Sequence, residues 1–236
     1  MVKAVVFDMD DTIFYPQLPF ERALKAICPL YAGDVAETYH LFRRVSDKEF
    51  ERVLRGECDT LTFQKIRFKK TMAQCAYEAV TDEQADDFQS SYLKEQEKIE
   101  MLVGIKETFD YLKAHNIKIG LLTNGPTQHQ WKKIEYLKLR EYIEEDHILV
   151  SQETGFAKPD KEVFDLMAAR LGLTAADLLY VGDNYQTDIF GGLQSGWRTI
   201  WINHKQEDVS AFGEFSTAFV IASHEELLAT IEQLIP

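Results

Sequence analysis

The chain opens with a short apolar run, Lys3 to Phe7, rich in β-branched residues and ending at Asp8-Met9-Asp10-Asp11. An apolar run of that length, stopped by an acidic turn, predicts a buried strand. From about Tyr15 to Met101 no comparable run appears, and the apolar spacing turns helical. Phe68, Met72 and Cys75 fall at i, i+4 and i+7, and Ala85, Phe88 and Tyr92 follow a similar rule. Ser46-Asp47-Lys48-Glu49 and Thr81-Asp82-Glu83-Gln84 both have capping-box spacing, which predicts a helix start at each. From Gly104 onward helix and strand alternate. Ile105 to His115 reads as a helix and Ile117 to Thr123 as a strand, closed by Asn124-Gly125-Pro126. Pro126 suits the first position of the following helix, where its missing N–H costs nothing. Ile148–Ser151, Leu178–Val181, Arg198–Ile202 and Phe219–Ile221 read as further strands. A helix from about Asp160 carries Val163, Phe164, Met167 and Leu171 on one face, and Ser223 is placed to cap a last amphipathic helix. Alternating strands and helices predict an α/β fold, a doubly wound parallel sheet with a helical insertion after its first strand.

Composition narrows the class. A chain of 236 residues with 45% apolar and 28% charged residues has enough length for a core and suits a folded chain. The formal net charge of −13 argues against a nucleic acid polymer as partner, because phosphate backbones require a basic surface. No apolar run approaches the roughly 20 residues a membrane-spanning helix needs, so no membrane partner is expected. The run before Asp8 is too short for a signal-peptide core. Cys28, Cys58 and Cys75 show no metal-like spacing, which suggests free thiols in a reducing cytoplasm.

The polar residues of interest share a position. Asp8, Asp10, Thr123 and Asp183 lie just past the carboxyl ends of predicted parallel strands, and Lys158 follows another. In open α/β sheets those ends border one crevice. Three carboxylates gathered there repel unless a cation sits among them, and hard oxygen donors beside a phosphate suit Mg²⁺. Lys158, the Thr123 hydroxyl and backbone N–H groups are donors for phosphate oxygens. Each piece alone has a plainer use: an Asp after a strand is usually a cap or turn residue, and Thr-Asn-Gly and Lys-Pro are common loop sequences. Turns formed independently have no reason to place all of them, in order, at strand ends.

Asp8-Met9-Asp10-Asp11-Thr12 resembles the first motif, DxDxT, of the haloacid dehalogenase superfamily. Leu122-Thr123-Asn124-Gly125 resembles its second motif, Lys158 in Phe156-Ala157-Lys158-Pro159-Asp160 its third, and Gly182-Asp183 through Asp188 its fourth. The likeness runs nearly end to end. It implies a Rossmann-like catalytic core over residues 1–14 and 102–236, and over 15–101 the helical insertion that the superfamily calls a type-one cap. Asp11 departs from the Gly of many members. Asp11-Thr12-Ile13-Phe14 resembles the branch of 5′-nucleotidases acting on pyrimidine nucleoside monophosphates.

The resemblance implies a chemistry. Asp8 is the expected nucleophile, forming an aspartyl-phosphate. Asp10 is the expected general acid and base. Mg²⁺ is expected on the Asp8 carboxylate, the Asp10 backbone carbonyl and Asp183. Thr123, the Asn124 N–H and Lys158 are expected to hold the phosphoryl oxygens, and Asp188 to act behind them, through a metal-bound water or by orienting Lys158. Dehalogenases of this fold lack the second aspartate, so Asp10 favours phosphoester hydrolysis. The expected substrate is a small phosphate ester, a pyrimidine nucleoside 5′-monophosphate foremost. Phosphoglycolate or a sugar phosphate, a mutase reaction, and a receiver-like phosphorylation switch stand as alternatives. The insertion is expected to act as a lid. Arg43, Arg44, Arg52, Arg55, Arg67, Lys69 and Lys70 are its candidate anion-facing cations, against the plainer reading of a solvated helix face. Phe14, Tyr15, Phe20 and Tyr39 are read as core aromatics in preference to a nucleobase platform. The sequence leaves the oligomeric state open.

Overall fold

A computed structural model describes residues 1–77, 79–209 and 218–235. The chain divides into two compact units, Met1–Tyr15 with Glu100–Pro236, and Pro16–Ile99.

The first unit is built on six parallel strands: β1 (Ala4–Phe7), β2 (Lys118–Thr123), β3 (Ile148–Val150), β4 (Leu178–Gly182), β5 (Arg198–Ile202) and β6 (Ala218–Ile221). Their order across the sheet is β3-β2-β1-β4-β5-β6. In register, Val5 lies opposite Ile119 on one side and Leu179 on the other. Every residue of β1 and β4 is buried, as expected of central parallel strands covered on both faces, and the three residues of the edge strand β3 are buried too. The sheet winds outward in both directions from the β1/β4 pair, which makes that pair the switch point where the strand ends open a crevice.

Helices of this unit are α5 (Ile105–Ala114), α6 (Thr127–Tyr136), α7 (Ser151–Thr154), α8 (Lys161–Leu171), α9 (Phe190–Gln194) and α10 (Leu227–Leu234), here numbered after the four of the inserted unit. The α8 face predicted from spacing packs Val163, Phe164, Met167 and Leu171 against Ala4, Val6, Leu122 and Tyr180 of the strands. A left-handed Gly172, at φ +67°, ends that helix. A π-turn over Tyr185–Ile189 follows β4 and leads into α9.

The inserted unit consists of α1 (Gln17–Ile27), α2 (Val35–Leu54), α3 (Thr60–Gln74) and α4 (Asp82–Gln96). Its core is aromatic: Phe20, Phe42, Phe68 and Phe88 are almost fully buried, and Phe68 stacks on Phe88 at 3.8 Å between centroids. The box at Thr81 forms as predicted, with Gln84 N–H donating to Thr81 Oγ1 and Thr81 N–H to Gln84 Oε1.

Some local expectations fail. Ser46-x-x-Glu49 starts no helix. It lies inside α2, where Ser46 Oγ donates to the Phe42 carbonyl and Glu49 accepts from Arg52 and Lys70. The actual start is capped by Asp34, whose Oδ1 accepts the Glu37 N–H. Pro126 stands one residue before α6, and Ser223 begins a 3₁₀ turn ahead of α10 without capping it by a side-chain bond. Ser151 leaves β3 and opens α7, a helix the spacing did not suggest.

Candidate active site

β1 delivers Asp8 to the sheet edge, where its N–H donates to the Val181 carbonyl of β4. The Asp8 carboxylate is buried and accepts from the Lys158 ammonium at 2.5 Å. Lys158 Nζ also donates to Asp188 Oδ1 at 2.7 Å and to the Tyr180 hydroxyl at 2.9 Å. Three donors therefore meet three acceptors, and the Tyr180 hydroxyl in turn donates a hydrogen bond to the Leu122 carbonyl. Asn124 fixes the lysine from its backbone. Its Oδ1 accepts the Lys158 N–H and its Nδ2 donates to the Lys158 carbonyl, each at 2.9 Å.

Asp183, at the end of β4, is held differently. Its Oδ2 accepts from Lys205 Nζ at 2.7 Å and lies 3.7 Å from His204 Nε2. Its carbonyl accepts the indole N–H of Trp201. Asp188 leaves the π-turn with Oδ2 bonded to the Asn184 N–H and Oδ1 to Lys158. Asp10 faces α6. Both its oxygens accept from Lys133 Nζ, at 2.7 and 2.8 Å, and Gln130 reaches Oδ2 at 3.3 Å. Thr123 Oγ1 accepts from the same Gln130 amide at 2.5 Å.

The electrostatics follow from burial. It pushes the Asp8 carboxyl well above the usual carboxylate range, Lys158 pulls it back, and Asp188 and Asp183 push it further up. Burial disfavours the Lys158 ammonium too, but Asp188 and Asp8 outweigh it, and its pKa rises well above the ordinary lysine value. The shared direction is a firmly cationic Lys158 among carboxylates that it only partly neutralises. Burial raises Asp188 as well. Asp183 stays below its ordinary value, because His204 and Lys205 overcome its burial. Asp11, a non-glycine residue at φ +63°, is pushed up to about 6 by burial and by Asp183, against Lys205.

A hard divalent cation fits this donor set. One carboxylate oxygen from each of Asp8, Asp183 and Asp188 lies within 4.8 Å of the others, all three residues are buried, and Asp183 already draws two basic side chains. Asp188 enters that group although the sequence placed it behind the metal and named the Asp10 carbonyl instead. Both its carboxylate oxygens carry other bonds.

The predicted residues thus collect at one sheet edge. Sequence reasoning missed Gln130, Lys133, Tyr180, His204 and Lys205, none of which belongs to a motif. The available signal was Gln130 and Lys133, three apart in a predicted helix right after Thr123. In the inserted unit, Arg52, Arg55, Lys69 and Lys70 pair with carboxylates, in line with a solvated face. Arg67 instead lies over the Phe42 and Phe63 rings and donates to Gln89. Phe14, Phe20 and Tyr39 are buried, in keeping with their core reading.

The sequence profile of the haloacid dehalogenase-like hydrolases matches residues 2–196. A ribulose-1,5-bisphosphate 5-phosphatase of Halopiger xanaduensis is 30% identical over 216 residues, covering 88% of this chain and 87% of that one. The pyrimidine 5′-nucleotidase YjjG of Escherichia coli is 36% identical over 115 residues, about half of each chain. Among solved structures, the HAD-hydrolase YfnB of Bacillus subtilis aligns over 98% of both chains with a TM-score of 0.67 at 23% identity. An L-2-haloacid dehalogenase of Xanthobacter autotrophicus aligns over 98% of this chain and 99% of its own, at 0.65 and 19%.

Proposed function

Because this chain belongs to the haloacid dehalogenase-like hydrolase family, we propose that it hydrolyses small phosphate monoesters through an aspartyl-phosphate on Asp8. The observation that carries the reading is the pair of carboxylates after β1. Asp8 is seated on the Lys158 ammonium, and Asp10 is turned aside onto a separate cation, Lys133. Two acids two residues apart are thereby held on separate partners and kept from acting as one group, so one is free to meet phosphorus while the other serves the leaving oxygen.

In the first half-reaction an Asp8 oxygen bonds to phosphorus as the ester P–O bond breaks, and Asp10 gives its proton to the departing alcohol oxygen. In the second, Asp10 takes a proton from water as the water oxygen bonds to phosphorus and the Asp8–phosphorus bond breaks, releasing inorganic phosphate. Thr123, the Asn124 N–H and Lys158 hold the phosphoryl oxygens. Asn124 has a second task, clamping the Lys158 peptide. Asp188 keeps the Lys158 ammonium aimed at Asp8. Asp8 and Asp183, with the Asp10 carbonyl or Asp188, would hold Mg²⁺, which when bound would supply the positive charge that lets a carboxylate approach an anionic phosphate.

The substrate class is a small phosphorylated metabolite. A pyrimidine nucleoside 5′-monophosphate is favoured by Asp-Asp-Thr and by the likeness to YjjG. A sugar or triose phosphate is favoured equally by the likeness to the ribulose-1,5-bisphosphate 5-phosphatase and to a Methanopyrus kandleri glyceraldehyde 3-phosphate phosphatase, 29% identical over 99% of both chains. Phosphate release from nucleoside monophosphates, ribulose bisphosphate, glyceraldehyde 3-phosphate and phosphoglycolate, with Mg²⁺ or a chelator, separates them. Asp8→Asn should fall to background on every ester while keeping the circular dichroism of the parent. Turnover retained by that variant, or unaffected by chelator, refutes the mechanism.

A further inference from the structure

The buried face of α6 consists of Gln130, Lys133 and Ile134. A helix packed on a sheet normally turns an apolar stripe inward, so an amide and an ammonium on that face need a reason. Lysine is almost never buried unless paired, and Lys133 is only 6% exposed. Its ammonium reaches both oxygens of Asp10 and lies 5.6 Å from the centroid of the Phe14 ring. Phe14 closes the same turn, since its carbonyl accepts the Asp11 N–H. One helical turn earlier, the Gln130 amide donates toward Asp10 Oδ2, Thr123 Oγ1 and the Asn124 carbonyl. A hydroxyl that accepts from Gln130 keeps its own hydrogen for another acceptor. The seat for Gln130 exists because residue 125 is glycine. A Cβ there would stand 3.0 Å from Gln130 Cδ and 3.2 Å from Cγ, at a φ of +146° that side chains rarely adopt.

We propose that Lys133 and Gln130 are positioning residues for the proposed reaction. Lys133 fixes the plane of the Asp10 carboxylate, and Gln130 ties that carboxylate to Thr123 so that the proton carrier and the phosphate-binding hydroxyl are set by one helix. Two contacts from Lys133 and one from Gln130 hold a side chain that is otherwise 31% exposed and on a short turn. A carboxylate left to rotate there would still sit beside the substrate but would miss the leaving oxygen and the attacking water for most of its conformations.

This inference rests on the phosphatase reading, and the test separates the two. The full-length chain in Mg²⁺ is assayed on an aryl phosphate with a good leaving group and on an alkyl phosphate with a poor one. No hydrolysis of either ester by the parent protein defeats the phosphatase reading itself. With an active parent, Lys133→Met should lose roughly 100-fold or more in kcat, the order attributed to a placed acid or base, with KM changed less than about threefold. The loss should be greater on the alkyl ester. On the aryl ester, rapid quench and intact-mass measurement should show the phosphoenzyme accumulating. Lys133→Arg should restore part of the rate, and Gln130→Met should chiefly raise KM. Should Lys133→Met fold poorly by circular dichroism, Lys133→Gln supplies the same comparison. Parental kcat in the folded variant, or an equal loss on both esters without phosphoenzyme accumulation, overturns the proposal.

Discussion

Asp11→Asn isolates one electrostatic cost. Asp11 sits at φ +63°, a conformation Asn also tolerates, so the substitution removes the charge without disturbing the backbone. In the folded chain its carboxyl is raised from 3.8 to about 6, first by burial and next by Asp183. A carboxyl with a raised folded-state pKa holds its proton more tightly folded than unfolded. Ionising it therefore penalises folding above about pH 6, and the penalty fades as pH falls toward 3.8. At about 1.4 kcal/mol per unit, the gap corresponds to a ceiling of about 3 kcal/mol. The value already includes the attraction of Lys205, 3.8 Å away, and the side chain is 28% exposed, so solvent screening reduces the ceiling to about 1–2 kcal/mol. Urea unfolding of the metal-free protein should show Asp11→Asn more stable by that amount near pH ~8 and nearly equal to the parent near pH ~4. Glu232→Gln, at an exposed position, controls for relief of the net charge of −13. An advantage that is absent at the higher pH, or equal at both, refutes the assignment of the cost to Asp11 burial.

Phe20→Ala should cost about 3–5 kcal/mol, because Phe20 is fully buried and touches the rings of Tyr39, Phe42, Phe88 and Tyr92. A fall in the urea midpoint checks it. Mg²⁺ at roughly a hundred times its dissociation constant should stabilise the parent by about 2.7 kcal/mol in thermal unfolding against chelator. Asp183→Asn should lose most of that gain.

The strands were legible because each is a short apolar run ended by a turn residue, and Asp8, Thr123 and Asp183 were legible because they stand at those ends. Gln130 and Lys133 were not. A lone lysine and glutamine on a helix ordinarily face water, and only the packing of α6 shows that these two face inward. Tyr180 was hidden for the opposite reason: an aromatic inside a strand reads as core, and its hydroxyl becomes informative only when Lys158 reaches it. Ser46-x-x-Glu49 misled because the same spacing occurs in a helix interior, where Ser46 bonds back to Phe42. Cap formation depends on where the backbone leaves helical geometry, and Asp34 rather than Ser46 stands at that point.

The inserted helices leave and rejoin the sheet between β1 and β2, two strands that are neighbours in space. The returning chain is fastened at once, with the Leu102 N–H donating to the Ile13 carbonyl at 2.8 Å. Departure and arrival are thus stitched together on the sheet's own side of the junction. A different insert spliced between those two anchors need not alter the register of β1 with β2, nor the seat of Asp8. The inserted unit is therefore exchangeable as far as the strand pairing is concerned, with the Ile13–Leu102 stitch as the boundary to preserve.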